Sequence, residues 1–194
     1  MTHLLIIGGS DAGISAALRS RELDTAVEIT IVLADSFPNY SICGLPFYLS
    51  GEVSDWHNLA HRKAEDIARR GIRLLMNHWA EAIDPARKIV TVKTPNGQHQ
   101  TMPYDKLIIG TGGTSVSPSI SGLDLPGVYP LRWMTDSFAV QKHLTEQAPQ
   151  HAVIVLCHCS GRPTIKLQNF TLSECARNDV HTRCLIPSLE AQHG

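Results

Sequence analysis

The chain has 194 residues, 43% of them hydrophobic and 18% charged, with 17 Lys and Arg against 18 Asp and Glu for a formal net charge of −1. That length suits one ordinary domain or two small ones, and the composition supplies a core while carrying too little charge for a disordered chain. There is no basic field to gather phosphate backbones, which argues against nucleic acid as a partner.

The longest apolar runs, such as Leu4 to Ile7 and Leu107 to Ile109, fall far short of the ~20 residues that cross a bilayer, so no transmembrane helix is expected. Met1-Thr2-His3 leads directly into Leu4 without the basic flank, longer apolar run and cleavage site of a secretory leader. The protein therefore reads as cytoplasmic. Its cysteines fit that reading: Cys43 stands alone, while Cys157, Cys159, Cys175 and Cys184 crowd the far end, unlike a disulfide scaffold.

In chain order, Leu4 to Ile7 reads as a buried strand, Gly8 to Gly13 as a turn, and Ile14 to Leu23 as a helix by its apolar spacing. A second strand at Glu28 to Leu33 completes a βαβ unit with two parallel strands, so an α/β fold is predicted. Pro38 to Ser41 is loop, and a short helix is expected from Cys43 onward. A longer helix is predicted over Leu59 to Arg70, with Asn58 as N-cap and Gly71 as its stop, before a strand at Ile72 to Met76. Lys88 to Lys93 and Gln98 to Met102 alternate around Pro95-Asn96-Gly97 as a hairpin. Tyr104 to Ile109 is a further buried strand ending in Gly110-Thr111-Gly112-Gly113. A Ser/Pro/Gly-rich connection over Thr114 to Pro130, a helix over Thr135 to Gln147 and a strand from Ala152 to Leu156 follow. From Cys157 the apolar periodicity fades into a poorly specified tail.

Gly8-Gly9-Ser10-Asp11-Ala12-Gly13 sits between a strand and a helix. A dinucleotide pyrophosphate needs backbone N–H groups at a helix N-terminus, and glycine where a Cβ would block its approach. Gly8 and Gly13 fit the first and third glycines of that fingerprint and Ser10 replaces the second; the other reading is a structural tight turn. The acid that holds ribose hydroxyls should follow about twenty residues on. Asp35, 22 residues after Gly13, is the nearest candidate, against a solvated turn aspartate. Cys43, at the start of a short helix, is either inert packing or a thiol whose pKa is lowered into the nucleophilic range.

Together, Gly8 to Gly13, the run Asn39-Tyr40-Ser41-Ile42-Cys43-Gly44-Leu45-Pro46, and Tyr104 to Gly112 resemble the FAD-dependent pyridine nucleotide–disulfide oxidoreductases, in the single-cysteine branch of NADH oxidases, NADH peroxidases and coenzyme A-disulfide reductases. The resemblance covers about residues 1 to 155 and implies a Rossmann-like FAD-binding domain over 1–150. It further implies that 151–194 holds the start of an incomplete second dinucleotide-binding domain and a divergent tail. It places Gly8, Gly9, Ser10, Asp11, Ala12 and Gly13 at the FAD pyrophosphate, with Ser41 among the cofactor-binding residues. Ala80 would lie near the adenine, Thr111 and Gly112 beside the flavin, and Cys43 against its ring. The family's ribose acid falls at Leu33, which cannot accept a hydroxyl hydrogen bond, leaving Asp35 to substitute. NAD(P)H would pass hydride to FAD, which would reduce a disulfide or sulfenate formed at Cys43, the acceptor being a small thiol or disulfide, peroxide or oxygen. Asp11 stands where the peroxidases carry a histidine, which counts against peroxide reduction.

The chain departs from that pattern at Val155: Leu156-Cys157-His158-Cys159-Ser160-Gly161-Arg162-Pro163 supplies no phosphate loop for NAD(P)H, and no dimerisation domain of the family's type follows. The expectation is a reading frame shifted or truncated near Val155. An oxidoreductase by descent and a catalytically incomplete FAD-binding fragment are the two functional readings. The tail cysteines, with His158 and His181, lack the paired spacing of structural zinc sites, so no metal site is predicted.

Overall fold

A computed structural model of the chain describes residues 1–113, 121–149, 151–159 and 163–171. They fall into two compact units, one of Met1–Gly44 with Asp55–Thr114 and one of Leu45–Ser54 with the described residues after 114.

The first unit is built on four parallel strands in the order β3-β2-β1-β7, namely β3 (Ile72–Met76), β2 (Glu28–Leu33), β1 (His3–Ile7) and β7 (Lys106–Ile109). This is the strand order of half a dinucleotide-binding fold. Helix α1 (Asp11–Leu23) crosses from β1 to β2, and α3 (Ala64–Arg69) precedes β3. Strand residues Leu4, Ile6, Ile29, Ile31 and Ile72 pack with Ile14, Ala17 and Leu18 of α1 and Ile67 of α3. The alternate residues Leu5, Ile7 and Val32 pack on Val90, Val92 and Met102. Those last three belong to an antiparallel meander of β4 (Trp79–Asp84), β5 (Ile89–Lys93) and β6 (His99–Pro103). With helices on one face and the meander on the other, β1 is covered on both sides, which is why Leu4 to Ile7 read as an unbroken apolar run. Each such side chain taken out of water contributes about 1.5–3 kcal/mol. The parallel sheet, helices and antiparallel hairpin make the Rossmann-like fold expected of the sequence.

The helix predicted over Leu59 to Arg70 is divided. A 3-10 turn covers Trp56–Leu59, where Asp55 rather than Asn58 caps by accepting from His57 N at 3.0 Å, and α3 begins only at Ala64. The main chain between them is drawn off to pair elsewhere. Leu59 O accepts from Ser41 N at 2.9 Å, Tyr40 bridges Ala60, and His61 N donates to Asn39 O at 2.9 Å. Gly71 does end α3, at φ 70°. Strand β4 was not signalled by its sequence, since Ala and Glu are poor strand formers, and forms by pairing with β5. Lys88 lies at φ 52°, so β5 starts one residue later than predicted.

In the second unit, α2 (Leu45–Leu49) and α4 (Met134–Gln147) meet through Tyr48 and Phe138, whose rings are edge to face with centroids 6.2 Å apart. Strand β8 (His151–Cys159) contains the predicted 152–156 segment and pairs antiparallel with β9 (Pro163–Thr171), a strand that the sequence did not suggest. Cys175, His181 and Cys184 lie outside the described residues.

Candidate functional site

The C-terminal ends of β1, β2 and β7 carry Gly8 to Gly13, Asp35, Thr111 and Gly112 of the site residues proposed from sequence. Strand order reverses between β1 and β7, and in open α/β sheets the crevice outside such a reversal is where ligands bind. Both glycine turns leave the sheet there. Gly110 N donates to Ile7 O at 2.7 Å, and the turns touch so closely that a Cβ on Gly8 would stand 2.1 Å from Gly110 O. A Cβ on Gly13 would stand 1.9 Å from Gly8 O. These two glycines are therefore required by backbone packing, and the sequence resemblance to a nucleotide fingerprint has a structural basis independent of any ligand. Gly9 is required less strictly, its missing Cβ lying 3.0 Å from the Leu33 side chain.

Ser10 precedes α1 in extended conformation and its side chain makes no capping hydrogen bond. The opening turn of a helix leaves its N–H groups without intrahelical partners, and with the helix dipole these make a ready anion site. Ser10, Asp11 and Ala12 are exposed and Gly13 is buried. The residues present thus fit the diphosphate of a dinucleotide. Asp11 is the exception in charge, a carboxylate at the same helix end. Its Oδ1 is taken by Asn39 Nδ2 at 2.7 Å.

Thr111 and Gly112 follow β7, exposed, with Gly112 at φ 67°. Asp35 is half-buried just beyond β2: its Oδ1 accepts from Phe37 N at 2.9 Å and its carbonyl from Asn77 N at 3.1 Å. Leu33 O accepts from His78 N at 2.9 Å, so the turn leading into β4 is fastened to the end of β2. That places Ala80, paired with Val92 next to a register shift in β4, close to the Asp35 segment.

Cys43 is an exposed free thiol in a 3-10 turn spanning Ile42–Gly44. The turn is closed by Gly44 N donating to Ser41 O at 3.1 Å, and a Cβ on Gly44 would come 2.6 Å from Leu59 Cδ2. Phe37, Tyr40 and Trp56 brace the preceding loop, the rings of Phe37 lying edge to face on both others with centroids 5.7 and 5.5 Å away. Burial pushes the Tyr40 phenol above its ordinary pKa, with the carboxylates of Asp55 and Glu65 adding to the effect.

One residue that sequence reasoning left as loop links these parts. Asn39 is 1% exposed and sits at φ 55°. Its N–H donates to Gly9 O at 2.8 Å, its carbonyl accepts from His61 N, its amide reaches Asp11, and its Oδ1 accepts from Arg62 Nη1 at 3.4 Å. Asparagine tolerates left-handed backbone better than other non-glycine residues, and that was the sole signal in the sequence.

The family model described as pyridine nucleotide-disulphide oxidoreductase matches residues 2–155. Among curated proteins, the chain is 27% identical over 152 residues to an NADH oxidase of Methanocaldococcus jannaschii, covering 78% of this chain and 34% of that protein. It is 31% identical over 153 residues to a CoA-dependent NAD(P)H sulfur oxidoreductase of Pyrococcus abyssi, covering 78% and 33%. Among solved structures, the reduced CoADR-RHD of Bacillus anthracis superposes with a TM-score of 0.74 at 25% identity, covering 77% of this chain and 27% of that one. The water-forming NADH oxidase of Lactobacillus brevis, bound to NADH, gives 0.71 at 28% identity, covering 75% and 33%. The chain spans about a third of the length of these curated relatives.

Proposed function

This chain belongs to the pyridine nucleotide-disulphide oxidoreductase family, and from that premise we propose that it is the FAD-binding part of an oxidoreductase carrying electrons from NAD(P)H through FAD to Cys43, and on to a small disulfide, peroxide or oxygen. The observation that carries the reading is the pair of glycine turns packed on one another at the strand-order reversal, beside a helix start that Ser10 leaves uncapped.

In this reading Gly8 to Gly13 hold the diphosphate, Thr111 and Gly112 border the flavin, Ser41 and the backbone of Ala80 contribute contacts, and Asp35 stands in for the ribose acid at Leu33. FAD, when bound, supplies a two-electron carrier between reduced nicotinamide and sulfur. The exposed thiol of Cys43, as thiolate, would attack a disulfide, forming one S–S bond while the other breaks and a thiolate leaves; with a peroxide it would form an S–O bond as the O–O bond breaks and hydroxide or alkoxide leaves, giving a sulfenic acid. Asp11, a carboxylate bound to Asn39, offers no imidazole for peroxide chemistry, which favours disulfide or oxygen as acceptor.

A second reading, an FAD-binding part without its own nicotinamide site, is favoured by the antiparallel pairing of β8 with β9 where a strand leading to a phosphate loop would be needed. One preparation tests both. Purified protein that retains yellow flavin and is bleached by NADH or NADPH without oxygen supports the oxidoreductase; retained flavin that neither nucleotide bleaches supports the second reading. Folded protein that takes up no FAD overturns both.

A further inference from the structure

We propose that Asn39 is a positioning residue that couples occupancy of the glycine turn to the conformation of the Cys43 loop, an inference resting on the cofactor reading above. The geometry argues for it directly. Asn39 is bonded on one side to the glycine turn, through Gly9 O and the Asp11 carboxylate, and on the other to the Leu59–Arg62 segment, through His61 N and Arg62 Nη1. That same segment receives the Cys43 loop, by Ser41 N on Leu59 O and by the Tyr40–Ala60 bridge. Asn39 lies four residues before Cys43 in the chain. Asn39 is itself buried, so a broken bond would leave its polar side chain without a partner, and its contacts are held together. A diphosphate that draws on the N–H groups opening α1 fixes the Asp11 carboxylate beside them, the Asn39 side chain carries that order to Arg62, and the Cys43 loop seated on the Leu59–Arg62 segment is ordered in consequence.

The test uses ADP, which carries a diphosphate and no isoalloxazine ring, so it can fill the turn without shielding sulfur. Cys43 alkylation by iodoacetamide is followed by peptide mass spectrometry, which separates it from the other cysteines. In the wild-type chain, saturating ADP slows alkylation about threefold or more, within the range by which single residues modulate coupling between two sites. In Asn39→Gly, which accepts the left-handed backbone and keeps both main-chain bonds, ADP still binds but leaves the rate unchanged. Arg62→Ala, altered at an exposed position outside the glycine turn, removes the side-chain bond on the far side of Asn39 and weakens the slowing without risk to the core. Failure of ADP and FAD to bind the wild-type chain overturns the cofactor reading. Binding of ADP with no change in the wild-type rate, or with equal slowing in Asn39→Gly, overturns the role of Asn39 alone.

Discussion

The Asn39 side-chain amide donates to the Asp11 carboxylate across 2.7 Å. One partner opens the helix that follows the glycine turn, and the other belongs to the loop that carries the only free thiol among the described side chains. The glycine turn and the loop that carries the cysteine are thus parts of one hydrogen-bonded assembly.

Gly13→Ala will damage fold and site together. The new methyl would meet Gly8 O at 1.9 Å, a main-chain contact with no flexible atom to yield. A loss of about 3 kcal/mol or more is expected, read by urea unfolding, together with loss of FAD uptake in a fluorescence titration.

Cys43→Ser separates chemistry from structure. The side chain is exposed in a turn closed by backbone bonds, so stability should stay within about 0.5 kcal/mol of the parent and FAD uptake should persist. Reduction of a small disulfide at the expense of NADH should disappear. Equal turnover in both proteins would remove Cys43 from the reaction.

Arg21 bonds three carbonyls: Nε to Arg70 O at 3.2 Å, Nη1 to Thr25 O at 2.7 Å and Nη2 to Gly71 O at 2.9 Å. It joins the ends of α1 and α3. Arg21→Ala should cost about 1–3 kcal/mol, while Arg21→Lys, with no planar fork, should recover only part of that in thermal unfolding.

Asp55 gives a pH signature. Bonds from His57 N and the His57 ring hold its carboxyl below the usual carboxylate range. A lowered folded-state pKa contributes stability above the unfolded value and loses it as pH falls through the lowered one. Asp55→Ala should therefore lower the melting temperature at pH 7, and the gap from the parent should narrow as the solution is acidified past the ordinary carboxylate pKa.

The first strand of the parallel sheet was legible because burial on both faces leaves Leu4 to Ile7 an unbroken apolar run that admits one reading. Leu59 to Arg70 misled because its local spacing is helical, while the main chain of Leu59, Ala60 and His61 is claimed by residues some twenty positions earlier. No window of sequence contains that competition. Trp79 to Asp84 was missed for the converse reason, helix-forming residues held extended by their neighbour β5. At the site, the glycines stood out because their chemistry is a missing atom. Asn39 did not, since its importance lies in a positive φ and four partners from two segments.

Strand β7 closes one side of the parallel sheet with its outer margin unpaired among the described residues, and Ile109 at its end is 61% exposed. Such a margin is a row of idle amide and carbonyl groups that will accept any extended peptide of matching length. Lys106, exposed at the opposite end, is a charged deterrent over only part of that length. Concentrated samples of this chain should accordingly drift towards edge-to-edge self-association, and a charged replacement at Ile109 should keep them dispersed.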